Sequence, residues 1–179
     1  MTSNERASVE KLMEISYLEK DESKVPAMKQ TFLNEFTVDV TKYPHYVFEL
    51  LQLAFNEKNA DDVEYCLMIG SSFSLFTAEF SSIFCDLILS DWHHEHENIA
   101  SILQGLKCPN TVSSLYKATL LKLDSRDWDD MEILATKCIW ALGDIGNSEA
   151  IDALKLLSTS SNKILCDGAN YQLKRLNLK

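Results

Sequence analysis

Leu103-Gln104-Gly105-Leu106-Lys107-Cys108-Pro109-Asn110-Thr111-Val112-Ser113-Ser114-Leu115 lies, without a gap, over Leu142-Gly143-Asp144-Ile145-Gly146-Asn147-Ser148-Glu149-Ala150-Ile151-Asp152-Ala153-Leu154. The apolar residues match at one offset of 39: Leu103 with Leu142, Leu106 with Ile145, Val112 with Ile151 and Leu115 with Leu154. Each copy reads as the end of one helix, a tight polar turn and the start of the next. Self-similarity at this period marks a helical solenoid. Solenoids hold partners on extended surfaces and seldom perform chemistry. The glycines of Gly143-Asp144-Ile145-Gly146 suit the end of a helix. That stretch is not a phosphate loop, because the Lys-Ser/Thr that should follow is missing.

Helical periodicity extends outward from the repeat. Trp92, Ile99, Ile102, Leu103 and Leu106 form the first helix of the first copy, and Val112, Leu115, Tyr116 and Thr119 its second. A polar break runs from Leu123 to Asp130, after which Met131, Leu134, Ala135, Cys138, Ala141, Leu142 and Ile145 resume the period. Ser148 is placed to cap the next helix, whose inner face is Ile151, Leu154 and Leu157. Leu165, Ala169, Gln172, Leu173 and Leu176 form a third copy of the first-helix pattern, with Leu173 following Leu142 by 31 residues. The longer spacing of 39 maps to the Asp-rich insertion at Asp124–Asp130.

Upstream, Asn59 is placed as the N-cap of a helix carrying Val63, Cys66, Leu67 and Gly70. Val47, Leu51, Ala54 and Phe55 form an earlier stripe, with Pro44 at its entry. Thr77 is placed to cap a helix with Phe80, Ile83, Phe84, Leu87 and Ile88 inward. Nearer the start, Val9, Leu12 and Met13 suggest one helix, and Met28, Phe32 and Phe36 another. The alternation from Phe36 to Thr41 reads as a short extended piece or as an exposed loop. The expected architecture is a single all-α domain over 1–179. Antiparallel helix pairs occupy 59–179, and a less regular helical cap over 1–58 covers the open end of the core.

The chain has 179 residues, 46% apolar and 25% charged, with only 5 Gly and 3 Pro. Long helices with short connections fit this better than a sandwich or barrel. Five cysteines form no Cys-x-x-Cys pair and sit among apolar helical residues, which points to reduced, buried thiols in a cytoplasmic protein. The polar start, Met1-Thr2-Ser3-Asn4-Glu5-Arg6, lacks the apolar segment of a secretory signal. No apolar run approaches the roughly 20 residues of a membrane span. The net charge of −10 is uneven. Residues 61–100 hold eight acids and no Lys or Arg, whereas residues 135–179 carry a net charge of +2. An acidic field repels phosphate backbones and attracts basic partners, so no direct nucleic-acid or membrane binding is expected.

The stretch from Ala135 to Leu154 resembles a HEAT-type repeat. The likeness rests on Ala141-Leu142-Gly143-Asp144-Ile145-Gly146, a polar turn, and Glu149-Ala150-Ile151. Ala169-Asn170-Tyr171-Gln172-Leu173 resembles the start of the next unit. Trp92-His93-His94-Glu95-His96-Glu97-Asn98-Ile99-Ala100, leading into a repeat, resembles small bacterial HEAT-like proteins, some of which are immunity proteins of contact-dependent or polymorphic toxin systems. The likeness covers about 85 residues from Trp92 to Leu176, and the first half departs from it. It implies a HEAT-like α-solenoid that binds and neutralises a toxin domain, without catalytic activity, cofactor or metal. The acidic balance points to a basic toxin, such as a nuclease. A general HEAT-type scaffold, with no toxin involved, would use the same surface.

Three clusters are candidates for that surface. Trp92-His93-His94-Glu95-His96-Glu97 would, on a helix, place His93 and Glu97 on one face. Those two ligands fall short of a metal site, and the His-Glu-x-x-His spacing of zinc proteases is absent. Histidines in an acidic field also hydrogen-bond partners. Asp124-Ser125-Arg126-Asp127-Trp128-Asp129-Asp130 reads as a contact loop with Trp128 as aromatic anchor, or as a solvated loop with Trp128 buried as a core plug. Asp61, Asp62 and Glu64 read as an acidic helix start or as part of one acidic face with Asp91 and Glu95. The expected partner-binding set is therefore Asp61, Asp62, Glu64, Asp91, His93, His94, Glu95, Asp124, Asp127, Trp128 and Asp129.

Overall fold

A computed structural model describes residues 1–18, 22–122 and 128–177; for residues 15–18, 22, 128–131 and 177 it describes the backbone alone. The described residues form α-helices joined by turns and short 3-10 segments, and no strand occurs among them. They divide into two compact units, Met1–Phe76 and Thr77–Lys179.

The first unit holds α1 (Ser3–Leu18), α2 (Val25–Glu35), α3 (His45–Glu57) and α4 (Ala60–Ser72). α1 packs on α2 and α4, and α3 packs on α4. Val9, Leu12, Phe32, Phe36, Val47, Leu51, Val63 and Ile69 are buried between them. The Phe32 and Phe36 rings stack at 4.7 Å. Asn59 caps α4 as expected, its side chain accepting from the Asp62 N–H at 3.0 Å. Residues 36–43 are bends, turns and irregular backbone rather than a strand, but Phe36 and Val40 are buried, so the segment is not the exposed loop expected as the alternative.

The second unit holds α5 (Ser81–Leu87), α6 (His96–Leu106), α7 (Val112–Ala118), α8 (Trp128–Ile145), α9 (Ser148–Ser158) and α10 (Lys163–Asn177). α8 contacts α6, α7, α9 and α10. Leu134, Ala135, Cys138, Ile139, Ala141 and Leu142 on it are all buried, an apolar sector wide enough to need neighbours on several sides.

The first helix of each copy ends in the same way, although a 3-10 turn at Pro109–Thr111 follows in the first copy and α9 starts directly in the second. Lys107 and Gly146, matched at the offset of 39, are both left-handed, with φ of 52° and 60°. Lys107 donates its N–H to the Leu103 carbonyl and Gly146 to the Leu142 carbonyl, each at 3.0 Å, so the two helices end in the same αL cap. Glycine adopts this conformation without cost, whereas Lys107 tolerates it at a small penalty.

The first helices of the copies lie side by side in register. Lys137 pairs with Glu97 at 3.2 Å, and Gln104 donates to Asp144 at 2.7 Å; both partners stand 40 residues apart. Trp140 meets Tyr171, and Arg175 donates to Asp144, both at a separation of 31. A constant separation at two points along a helix means that α6, α8 and α10 run in the same direction.

Several boundaries differ from expectation. Thr77 makes no capping hydrogen bond, because a 3-10 turn at Ala78–Phe80 precedes α5. Asn147, not Ser148, caps α9, accepting from the Ala150 N–H at 2.8 Å. α8 starts at Trp128, so residues 128–130 of the expected polar break are helical.

At Gly143 a β-carbon would lie 2.2 Å from Gln172 Oε1 and 2.9 Å from Arg175 Nη2. Gly143→Ala is therefore expected to destabilise the protein by about 1–3 kcal/mol, read from denaturant unfolding. Gly143→Ala combined with Gln172→Ala should recover part of that loss; simple additivity would contradict the α8–α10 register described here.

Candidate partner-binding surfaces

The expected acidic surface does not survive intact. Asp62 is fully buried and belongs to the interior of the first unit. Its carboxylate accepts from Arg6 Nε at 2.7 Å and from the Met1 α-amino group at 2.8 Å. Burial alone would raise its pKa, but the Arg6 and α-amino donors outweigh that and hold it below the usual carboxylate range. Asp62 is thus an internal anchor between α1 and α4. A composition count cannot show this, because Arg6 is distant in sequence. Asp61 is exposed and Glu64 half-buried on the same helix.

His93 is the second correction. Residues 92–95 are not helical, so the expected His93–Glu97 face does not form. His93 is 1% exposed. Its Nε2 lies 2.8 Å from the Leu87 carbonyl, and its Nδ1 accepts from the Glu95 N–H at 3.0 Å. Those two bonds specify a neutral ring with its proton on Nε2. His96 is also buried; its Nε2 lies 2.6 Å from the Ser90 carbonyl, and its ring stacks on His93 at 4.5 Å. The two imidazoles fasten the loop between α5 and α6. Among the described residues no group of three or more His, Cys, Asp or Glu is placed to hold a metal ion.

The same loop leaves Asp91 and His94 exposed and Glu95 half-buried, accepting from Asn98 Nδ2 at 2.7 Å. Asp86, at the end of α5, is exposed as well. Neither Asp86 nor Asp91 makes an ion pair among the described residues. Asp61 and Glu64 belong to one compact unit and Asp91, His94 and Glu95 to the other. Asp124 and Asp127 lie outside the described residues. Trp128 and Asp129 lie on the first turn of α8 rather than in a loop.

One feature of the surface escaped the sequence reading. Trp140 and Tyr171 are 38% and 57% exposed, and their rings meet at 5.6 Å with a 45° tilt. The Arg175 guanidinium carbon lies 5.3 Å from the Trp140 ring centre, in cation–π range. Arg175 Nη2 donates to Asp144 Oδ1 at 2.6 Å. Burial raises the Asp144 pKa, but Gln104 and Arg175 bring it below its ordinary value. The signal was present: offsets of 39 and 31 align Ser101, Trp140 and Tyr171 at one repeat position.

The five cysteines carry no disulfide. Burial pushes the Cys138 thiol up to about 12, far from a nucleophile's range.

No protein-family model, curated protein or solved structure matches the chain.

Two outcomes follow from the buried polar groups. Asp62→Asn should destabilise the protein by roughly 3 kcal/mol near neutral pH. Because the folded-state pKa of Asp62 is depressed, its contribution is present above the unfolded-state value and is lost as pH falls through the folded one. The variant should therefore show a flatter loss of stability below about pH 4, measured by unfolding across acid pH. His93→Ala leaves the Leu87 carbonyl and Glu95 N–H without their partner, at a cost of about 1–3 kcal/mol in the same assay.

Proposed function

We propose that this chain is a HEAT-like α-solenoid acting as a cytoplasmic, non-catalytic binding protein for a basic protein domain. The partner class is a bacterial toxin nuclease, which makes the chain an immunity protein. The HEAT-like reading is supported by the matching αL helix ends at Lys107 and Gly146 and by the parallel register of α6, α8 and α10.

The observation that carries the choice of partner is the charge between Asp86 and Glu95. Asp86 and Asp91 are exposed and Glu95 half-buried in one region of chain, while the two histidines that hold the loop stay buried. No Lys or Arg occurs between residues 61 and 100 to neutralise them locally. Nuclease surfaces are positive because they grip phosphates. A complementary acidic loop speeds encounter and selects the partner more than it adds affinity.

Co-expression with a toxin nuclease domain encoded directly upstream of this gene should rescue growth. The triple reversal Asp86→Lys, Asp91→Lys and Glu95→Lys should slow association with that domain about tenfold and flatten its salt dependence, measured by stopped-flow or surface binding kinetics. Absence of such a gene, or of rescue by the unaltered chain, removes the immunity reading. An unchanged salt dependence in the triple variant removes the electrostatic one.

A further inference from the structure

We draw no further inference here: the strongest candidate, the exposed Trp140–Tyr171 aromatic patch on the face shared by α8 and α10, carries nothing because exposed Asp167 and Lys174 flank Tyr171 with opposite charges and nothing in the structure shows what covers it.

Discussion

The apolar sector of α8 spans Leu134, Ala135, Cys138, Ile139, Ala141 and Leu142, and only several neighbouring helices together can remove it from water. α6, α7, α9 and α10 do so. Small residues at Ala141 and Gly143 permit this close approach; a β-carbon at Gly143 would collide with Gln172. The ends of the stack follow from the same requirement. A helix that must lie against α8 in register has to turn back within a few residues, and the αL caps at Lys107 and Gly146 make that turn.

Parallel register then decides what the outside looks like. Residues at the same or adjoining repeat positions become neighbours across helices: Glu97 faces Lys137 and Gln104 faces Asp144, each one residue beyond the offset of 39, and Trp140 faces Tyr171 at the offset of 31. The Asp144–Arg175 bond and the Arg175–Trp140 contact come from the same alignment. The outer face of the stack thus combines aromatic rings with charged side chains of both signs. The loop before α6 is negative. It is held by buried imidazoles that bond to the backbone carbonyls of Leu87 and Ser90, so its carboxylates are displayed on a fastened scaffold.

Much of the helical framework was legible beforehand. The stripes containing Val63, Leu103, Leu142 and Leu154 all lie on helices, because period-3.6 patterning follows directly from burying one side of a helix. The Asn59 cap was legible for the same local reason: its side chain bonds an N–H three residues away. Caps at Thr77 and Ser148 were misplaced by a short 3-10 turn and by one residue, where neighbouring residues compete to bond the same free N–H groups. The candidate site was much less legible. His93 looked like a surface ligand because a helix was assumed from Trp92 onward, and the structure instead turns its ring inward against Leu87 and Glu95.

The sequence by itself determined that the chain is helical, where the repeat turns fall, and that residues 61–100 lack positive charge. Those properties depend on side-chain type and on spacing of a few residues. Tertiary structure alone decided which charges remain available to a partner. Asp62 is neutralised by Arg6 across 56 residues, while Asp91 makes no such pair among the described residues. It also decided that Trp140, Tyr171 and Arg175 form one patch, since their proximity exists only once α8 and α10 lie side by side. Local sequence sets the shape of each helix, but the electrostatic and aromatic character of a surface depends on which helices are brought together.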